Sequence, residues 1–269
     1  AALGIVHLCT DMFFAFISLW VIRAKVPLKR PRQLHNSANR KFLKTDSLLV
    51  IFQQFITPIS MAALTAIAAS VDTNYVAALA LLFRLEALFL LIPMVLTTSM
   101  PALVGANFWL GKHDRVASLY LVSFGIIIAA QLILAILLAT QYEVLTNFVC
   151  PHDAIATHLD VYLTWVPWSY ATAGIAIVFQ SCLNAKKHTL QATLVALCHR
   201  IILLIPLASL GILTLGDFGF YHGLMLGHIG AALPVIYLFK RFGYLNKLGV
   251  QSNYNPTIEG IPHETDYSR

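Results

Sequence analysis

Val116–Tyr142 reads VASLYLVSFGIIIAAQLILAILLATQY, 27 residues without one Asp, Glu, Lys or Arg. An α-helix needs about 20 apolar residues to cross the hydrocarbon core of a bilayer, so this run is long enough with residues to spare. Four more charge-free runs follow the same rule: Ser47–Val71, Ala87–Gly111, Val161–Ala185 and Phe218–Phe239. Two further apolar segments carry single charges, Ala1–Ile22 with Asp11 and His188–Leu215 with Arg200. Strands of a membrane barrel would alternate apolar and polar residues over about ten positions, and these runs do not. The chain reads as an all-α polytopic membrane protein of about seven transmembrane helices.

Composition agrees. Only 11% of the 269 residues are charged and 58% are hydrophobic, whereas a soluble domain carries roughly 25% charged residues to keep its surface wet. The net charge of +6 does not point to nucleic acid, because the basic residues sit between apolar runs. Arg23, Lys25, Lys29, Arg30, Arg32, Arg40, Lys41 and Lys44 crowd one linker. Lys112 and Arg115, then Lys186 and Lys187, then Lys240, Arg241 and Lys247 mark alternate connections. The intervening connections Asp72–Tyr75, Gln141–Ile155 and Gly216–Gly219 have no Lys or Arg. This alternation follows the positive-inside rule and places the C-terminus in the cytoplasm.

The count is informative. The basic linker 23–45 is followed by six helices, expected near 46–70, 76–107, 117–140, 156–184, 189–214 and 219–240, which together form a bundle over 46–241. Segment 1–22 lacks the basic n-region and uninterrupted core of a signal peptide. It fits the last helix of an upstream bundle, in the manner of transporters built from two repeats. Residues 242–269 are polar and read as a cytoplasmic tail, expected to be disordered.

Few residues in such a chain can carry chemistry. The helix Tyr75–Phe108 holds Arg84 and Glu86, then Pro93 and Pro101. At 1.5 Å per residue, Arg84 lies roughly 14 Å below the outer end of that helix. A charge at such depth costs about 3 kcal/mol and faces a partner or a water-filled cavity. Residues two apart on a helix point about 200° away from each other, so Arg84 and Glu86 each need a partner on another helix. The structural reading has them fixing helix packing; the functional reading has Glu86 binding a proton or cation, with Arg84 tuning a carboxylate or a gate. Pro93 and Pro101 each remove a backbone donor and are candidate kinks. Asp11 sits mid-helix, with His7 one turn away, and is a third charged candidate. Arg200 is read as snorkelling or capping a neighbour. Gln53, Gln54, Gln180 and Asn184 can line a pore or join helices by hydrogen bonds. Cys150, His152, Asp153 and His158 lack paired metal-ligand spacing, so no metal site is expected. No catalytic or phosphate-loop motif occurs, so an enzyme is disfavoured and no cofactor is expected.

The stretch Asn74–Val116 contains Val-Ala-Ala near its start, Arg84, Glu86 and Pro93, and then Val-Gly-Ala-Asn…Gly…Asp-Arg at its exit, with Gly105, Asn107, Gly111, Asp114 and Arg115. It resembles the second helix of the C-terminal half of MATE (multidrug and toxic compound extrusion) transporters. Ala106 stands where that family has Gln. Gln180–Ala185, Arg200 and Ile205-Pro206 also resemble its later helices. The resemblance implies a two-bundle, 6+6 transporter of the inner membrane that exports cationic or amphipathic compounds in exchange for H⁺ or Na⁺ by alternating access. Its partners would be the small-molecule substrate, the lipid bilayer and the N-terminal bundle. In many members the coupling carboxylate lies in the first helix of the N-terminal half; some carry another in the first helix of the C-terminal half. The matching stretch Ile51–Ala69 has none, which shifts weight to Glu86, or to a carboxylate of the N-terminal half that Arg84 would contact. The alternatives are a flippase for lipid-linked precursors in the same wider superfamily, which would want more buried cations than Arg84 and Arg200, and a non-transporting membrane protein or enzyme.

Overall fold

The computed structural model describes residues 2–25, 45–71, 73–149 and 153–244. Helix α1 (Ala2–Lys25) belongs to one unit, and the segment from Asp46 onward forms a second. The greater part of the expected basic linker, residues 26–44, lies outside the described residues, as do Cys150, Pro151 and His152 and the tail beyond 244.

Within the second unit, six helical spans are long and apolar enough to cross a membrane. They are α2 (Ser47–Ala69), α4 (Leu91–Trp109), α5 (His113–Val149), the pair α6 (Asp153–Trp165) and α7 (Tyr170–Ala185), the pair α8 (Thr189–Leu197) and α9 (Ile205–Leu215), and the pair α10 (Gly219–Gly230) and α11 (Ala232–Arg241). Helix α3 (Thr73–Phe89) precedes α4 and completes the span expected at 76–107. The expected connection Gln141–Ile155 is corrected: α5 continues to Val149, with one non-helical residue at Gln141 (φ −121°, ψ 15°).

Four of the expected spans are broken in mid-course, each beside a proline. Leu90 leaves helical geometry between α3 and α4, three residues before Pro93. A 3₁₀ turn, Val166–Ser169, separates α6 from α7 and contains Pro167. A π-helical segment, Cys198–Leu204, separates α8 from α9, which opens on Pro206 near its start. Ala231 interrupts α10 and α11 three residues before Pro234. The reason is general: proline cannot donate to the carbonyl four residues earlier, and its ring crowds it. In a membrane the freed carbonyl must find another donor. At Pro93 that carbonyl is Phe89 O, which accepts a 3.1 Å hydrogen bond from Gln131 Nε2 on α5. The proline ring itself fits against Gly174 of α7, where an added Cβ would come within 2.6 Å of Pro93 Cγ. Pro101, the other expected kink, lies inside an unbroken α4, as Pro58 does inside α2.

The breaks divide the apolar interior into two cores. Leu79, Leu82, Tyr162, Leu163, Tyr170, Phe220 and Leu224 belong to one. Met100, Val104, Tyr120, Phe179, Cys182, Ala192 and Phe239 belong to the other. Thus α3, α6, α9 and α10 feed the first core, while their continuations α4, α11 and most of α7, together with α8, feed the second. Close backbone approach binds α9 to α10. A Cβ at Gly211 would land on Gly219 O, and one at Gly223 on Leu207 O. Small residues at such crossings let helices pack by van der Waals contact where lipid supplies no hydrophobic drive. Outside, α5 turns Val122, Ile126, Ile133, Ile136 and Leu137 to its surroundings, as a lipid-facing helix must.

Candidate functional site

Glu86 lies in the last turn of α3, four residues before the break at Leu90, and is 8% exposed. Its backbone carbonyl accepts from Leu90 N at 2.9 Å. The opposite charge nearest in effect is Arg200, half-buried in the π-helical segment. Around these two charges the other breaks supply polar side chains. Tyr162, near the end of α6, and Tyr170, the first residue of α7, join hydroxyl to hydroxyl across the 3₁₀ turn. Both lie in the electrostatic field of Glu86. His199 Nε2 and His228 Nδ1 form a 3.0 Å hydrogen bond between the π-helical segment and α10. His228 also meets the Tyr170 ring edge-on at 6.2 Å. Arg200 acts on both imidazoles.

Sequence and geometry meet here in a specific way. A π-helical segment carries an extra residue per turn and often marks function; this one carries His199 and Arg200. Ala231 N bonds to His228 O at 3.1 Å, so the histidine sits at the last regular turn before its own break. A hydrogen bond between two imidazole nitrogens requires that one carry a proton and the other not. The pair can therefore share one proton at that contact. One carboxyl, two phenols, two imidazoles and a guanidinium are thus gathered at four helix breaks; the carboxyl, phenols and imidazoles can bind and release a proton, and the guanidinium stays charged. No group of three or more metal-binding side chains occurs among the described residues.

The other sequence candidates fall into three kinds. Arg84, two residues from Glu86, is exposed on the surface of this bundle. Gln53, Gln180 and Asn184 are brought together, but as a knot of hydrogen bonds. Gln53 Nε2 donates to Thr193 Oγ1 at 2.9 Å and to Thr189 O at 3.1 Å. Its Oε1 accepts from Asn184 Nδ2 at 3.0 Å and Gln180 Nε2 at 3.3 Å. The knot ties α2, α7 and α8 together, and Thr189 extends it to Asp46 at 2.7 Å. Gln54 is exposed and outside it. Asp11 is on α1, in the other unit, and its side chain lies outside the described residues. The exit motif after Asn107 is a turn: Gly111 takes φ 70°, and Lys112 N closes on Asn107 O at 2.9 Å. Arg200, expected to snorkel or cap, is half-buried in the π-helical segment, and its charge acts on Glu86, His199 and His228. The His199–His228 pair and the Tyr162–Tyr170 pair were not anticipated. Pro93, Pro167, Pro206 and Pro234, in four of the six apolar spans, were the available hint.

A family model, MatE, matches residues 50–210. The chain belongs to the MatE family. Among characterised relatives of this family member, the FAD transporter of Shewanella oneidensis is 28% identical over 186 residues, covering 69% of this chain and 41% of that one. Among solved structures, the bent form of the Vibrio cholerae MATE transporter VcmN superposes with a TM-score of 0.77 at 20% identity, over 90% of this chain and 54% of the other. A MOP superfamily transporter from Pyrococcus furiosus superposes with a TM-score of 0.68 at 16% identity, over 75% and 46%. The chain therefore spans about half the length of the relatives it matches, and its bundle has the fold of half a MATE transporter.

Proposed function

We propose that this chain supplies one bundle of a secondary transporter, which moves a small molecule across a membrane by alternating access and is driven by protons taken up and released at Glu86. The observation that carries this is the burial of Glu86, within the electrostatic reach of Arg200, in a bundle whose helices are broken at four places. Broken helices are points at which a bundle can bend, and buried ionisable groups in membranes mark ion pathways. A proton suits this site better than Na⁺. The Arg200 charge that reaches Glu86 also opposes a metal cation there, and the phenols and imidazoles of the other breaks are proton-exchanging groups. The first helix of the bundle, where some relatives place a second acid, has none over Ile51–Ala69.

The family resemblance favours cationic or amphipathic cargo, exported from the cytoplasm across an inner membrane, with the N-terminal bundle forming the other wall of the cavity. A second reading, an aromatic anion such as FAD, is favoured by one observation. The charged side chain that this bundle exposes at mid-span is Arg84, a cation, and a charge at that depth belongs in a cavity and not against lipid. The Shewanella relative is named for such a cargo.

The test is counterflow in proteoliposomes holding the full-length protein, with FAD and a cationic dye compared at several pH values. Glu86→Gln is expected to abolish the pH dependence of transport, and unchanged pH dependence would remove Glu86 from the mechanism. Arg84→Ala is expected to suppress uptake of the anion and spare that of the dye; the reverse pattern restores the cationic reading.

A further inference from the structure

Among the described residues, Lys186 is the most deeply buried cation outside the apolar spans. It follows the last residue of α7, is 2% exposed, and has its ammonium nitrogen inside a box of aromatic rings. The Nζ atom lies 4.7 Å from the ring centre of Phe242, 5.1 Å from Tyr244, 5.3 Å from Tyr120, 5.7 Å from Phe108 and 5.8 Å from Phe179. It donates a hydrogen bond to Tyr244 Oη at 3.2 Å. The box has two kinds of wall. Phe108, Tyr120 and Phe179 belong to the membrane-spanning helices α4, α5 and α7. Phe242 and Tyr244 lie just beyond α11, on a short turn through Gly243 at φ 69°, held by Tyr244 N to Phe239 O at 3.2 Å. Tyr244 is nevertheless only 3% exposed. The residues expected to begin a free tail are packed into the bundle, and the side chain they close over is Lys186.

The turn that carries Lys186 is tight on its own account. Lys187 adopts φ 61°, a conformation uncommon for a residue with a side chain. His188 N bonds back to Leu183 O at 2.9 Å. Lys186 is thereby held in place from its own turn, and the Phe242–Tyr244 turn closes the box from the other side.

We infer that Lys186 and the Phe242–Tyr244 turn form a proton-operated latch: the neutral amine seats the turn on the bundle, and the ammonium form releases it to water. The physical basis is the balance of solvation. An ammonium ion loses its hydration when the box closes. Ring quadrupoles return only a part of that loss. The amine loses little and keeps its hydrogen bond to Tyr244. In the closed box burial pushes the Lys186 amine down to about 7, whereas in the open state it meets water and recovers its ordinary value near 10.4. The sign follows. The open state binds the proton more tightly, so closure strengthens as pH rises from about 7 toward 10 and is constant below. The box thus responds to pH near neutrality, on the rim of the bundle that bears Lys187, Lys240 and Arg241.

The other groups facing Lys186 are the Cys182 thiol on α7, the Tyr120 phenol on α5, the Tyr244 phenol and the His188 imidazole. Burial and the neighbouring lysine push His188 down to about 4, so it is uncharged throughout the window in question. Cys182 is the group whose ionisation must be separated from that of Lys186, and Cys182→Ser does so.

Hydrogen–deuterium exchange of peptides covering 238–246, measured on the full-length protein in lipid nanodiscs, tests the latch. After correction for intrinsic exchange, protection in the native protein is expected to rise about tenfold or more between about pH 7 and about pH 9. Lys186→Met keeps an unbranched apolar chain in the box and should be protected at both values. Lys186→Arg, charged throughout, should be poorly protected at both. Cys182→Ser should retain the native rise. Flat protection in the native protein overturns the latch, as does a rise that persists in Lys186→Met or vanishes in Cys182→Ser. If Lys186→Arg does not fold, the native protein and the methionine variant decide.

Discussion

Gln131 Nε2 on α5 donates a 3.1 Å hydrogen bond to Phe89 O, the carbonyl that Pro93 leaves without its helical donor. One side chain thus stabilises the break at Leu90 from outside the broken helix, and that break carries Glu86. Gln131 is itself buried, so the bond forms where water cannot substitute for it. Replacing Gln131 by Leu should cost about 1 kcal/mol, in line with polar contacts between membrane helices. Pro93→Ala returns a donor to Phe89 O within its own helix. The two substitutions should therefore be non-additive, with the leucine nearly silent in the Pro93→Ala background. Thermal unfolding of the four proteins in detergent reads this coupling; additive shifts would show that Gln131 does not support the break.

The Gln53 knot has the same character and leads to a contrast between neighbours. Gln53 makes its bonds to α7 and α8 through both ends of its amide, and Gln54 is exposed. Gln53→Ala should lower stability by about 1–2 kcal/mol, because it strands buried partners, and should leave the pH dependence of transport unchanged. Gln54→Ala should be silent in stability. A stability loss at Gln54 equal to that at Gln53 would contradict the arrangement.

Much of this molecule was legible in its sequence, and the unread parts share a physical cause. Long charge-free runs such as Val116–Tyr142 can only be membrane helices, since no soluble surface can be made from them. Glu86 stood out because a carboxylate in such a run is costly. What one chain of letters does not show is which side chains meet between helices. Arg200 read as a snorkelling or capping cation; that its charge reaches the Glu86 carboxyl of another helix could not be seen in the sequence. His199 and His228 are 29 residues apart and form a bond that no periodicity announces. Pro93 and Pro101 read alike, yet only Pro93 lies beside a break, with Gln131 to satisfy the freed carbonyl and Gly174 to make room for the ring. Proline marks where a helix can break, and its neighbours decide whether it does.

Glu86 and Arg200 form the charged centre of the site, so their substitutions should be coupled. Arg200→Gln removes the cation that compensates a buried carboxylate and should be the more damaging single change. Glu86→Gln with Arg200→Gln leaves two neutral polar groups and should recover part of that loss, with an interaction energy of about 1–3 kcal/mol. The measurement is a double-mutant cycle on melting temperature at a pH where the carboxyl is ionised. Strict additivity would mean that the two groups do not sense each other.

The glycines of the bundle make the sharpest test of its packing, because the same substitution should have opposite signs at two positions. On α10, a Cβ at Gly223 would fall on the backbone of Leu207 and Ala208 in α9. Neither is the end of a flexible side chain, so the helices must separate to admit it. Gly223→Ala should then cost about 3 kcal/mol, at the upper end of the usual overpacking range, and it would weaken the α9–α10 contact that positions the π-helical segment and His228. On α5, a Cβ at Gly125 meets nothing within 4 Å. There the helix gains the conformational restriction of alanine, about 0.5–1 kcal/mol. Melting temperatures of the two variants should therefore lie on opposite sides of the native value. A harmless Gly223→Ala would mean that α9 and α10 do not meet backbone to backbone, which would also undercut the bond from His199, in the π-helical segment leading into α9, to His228 of α10.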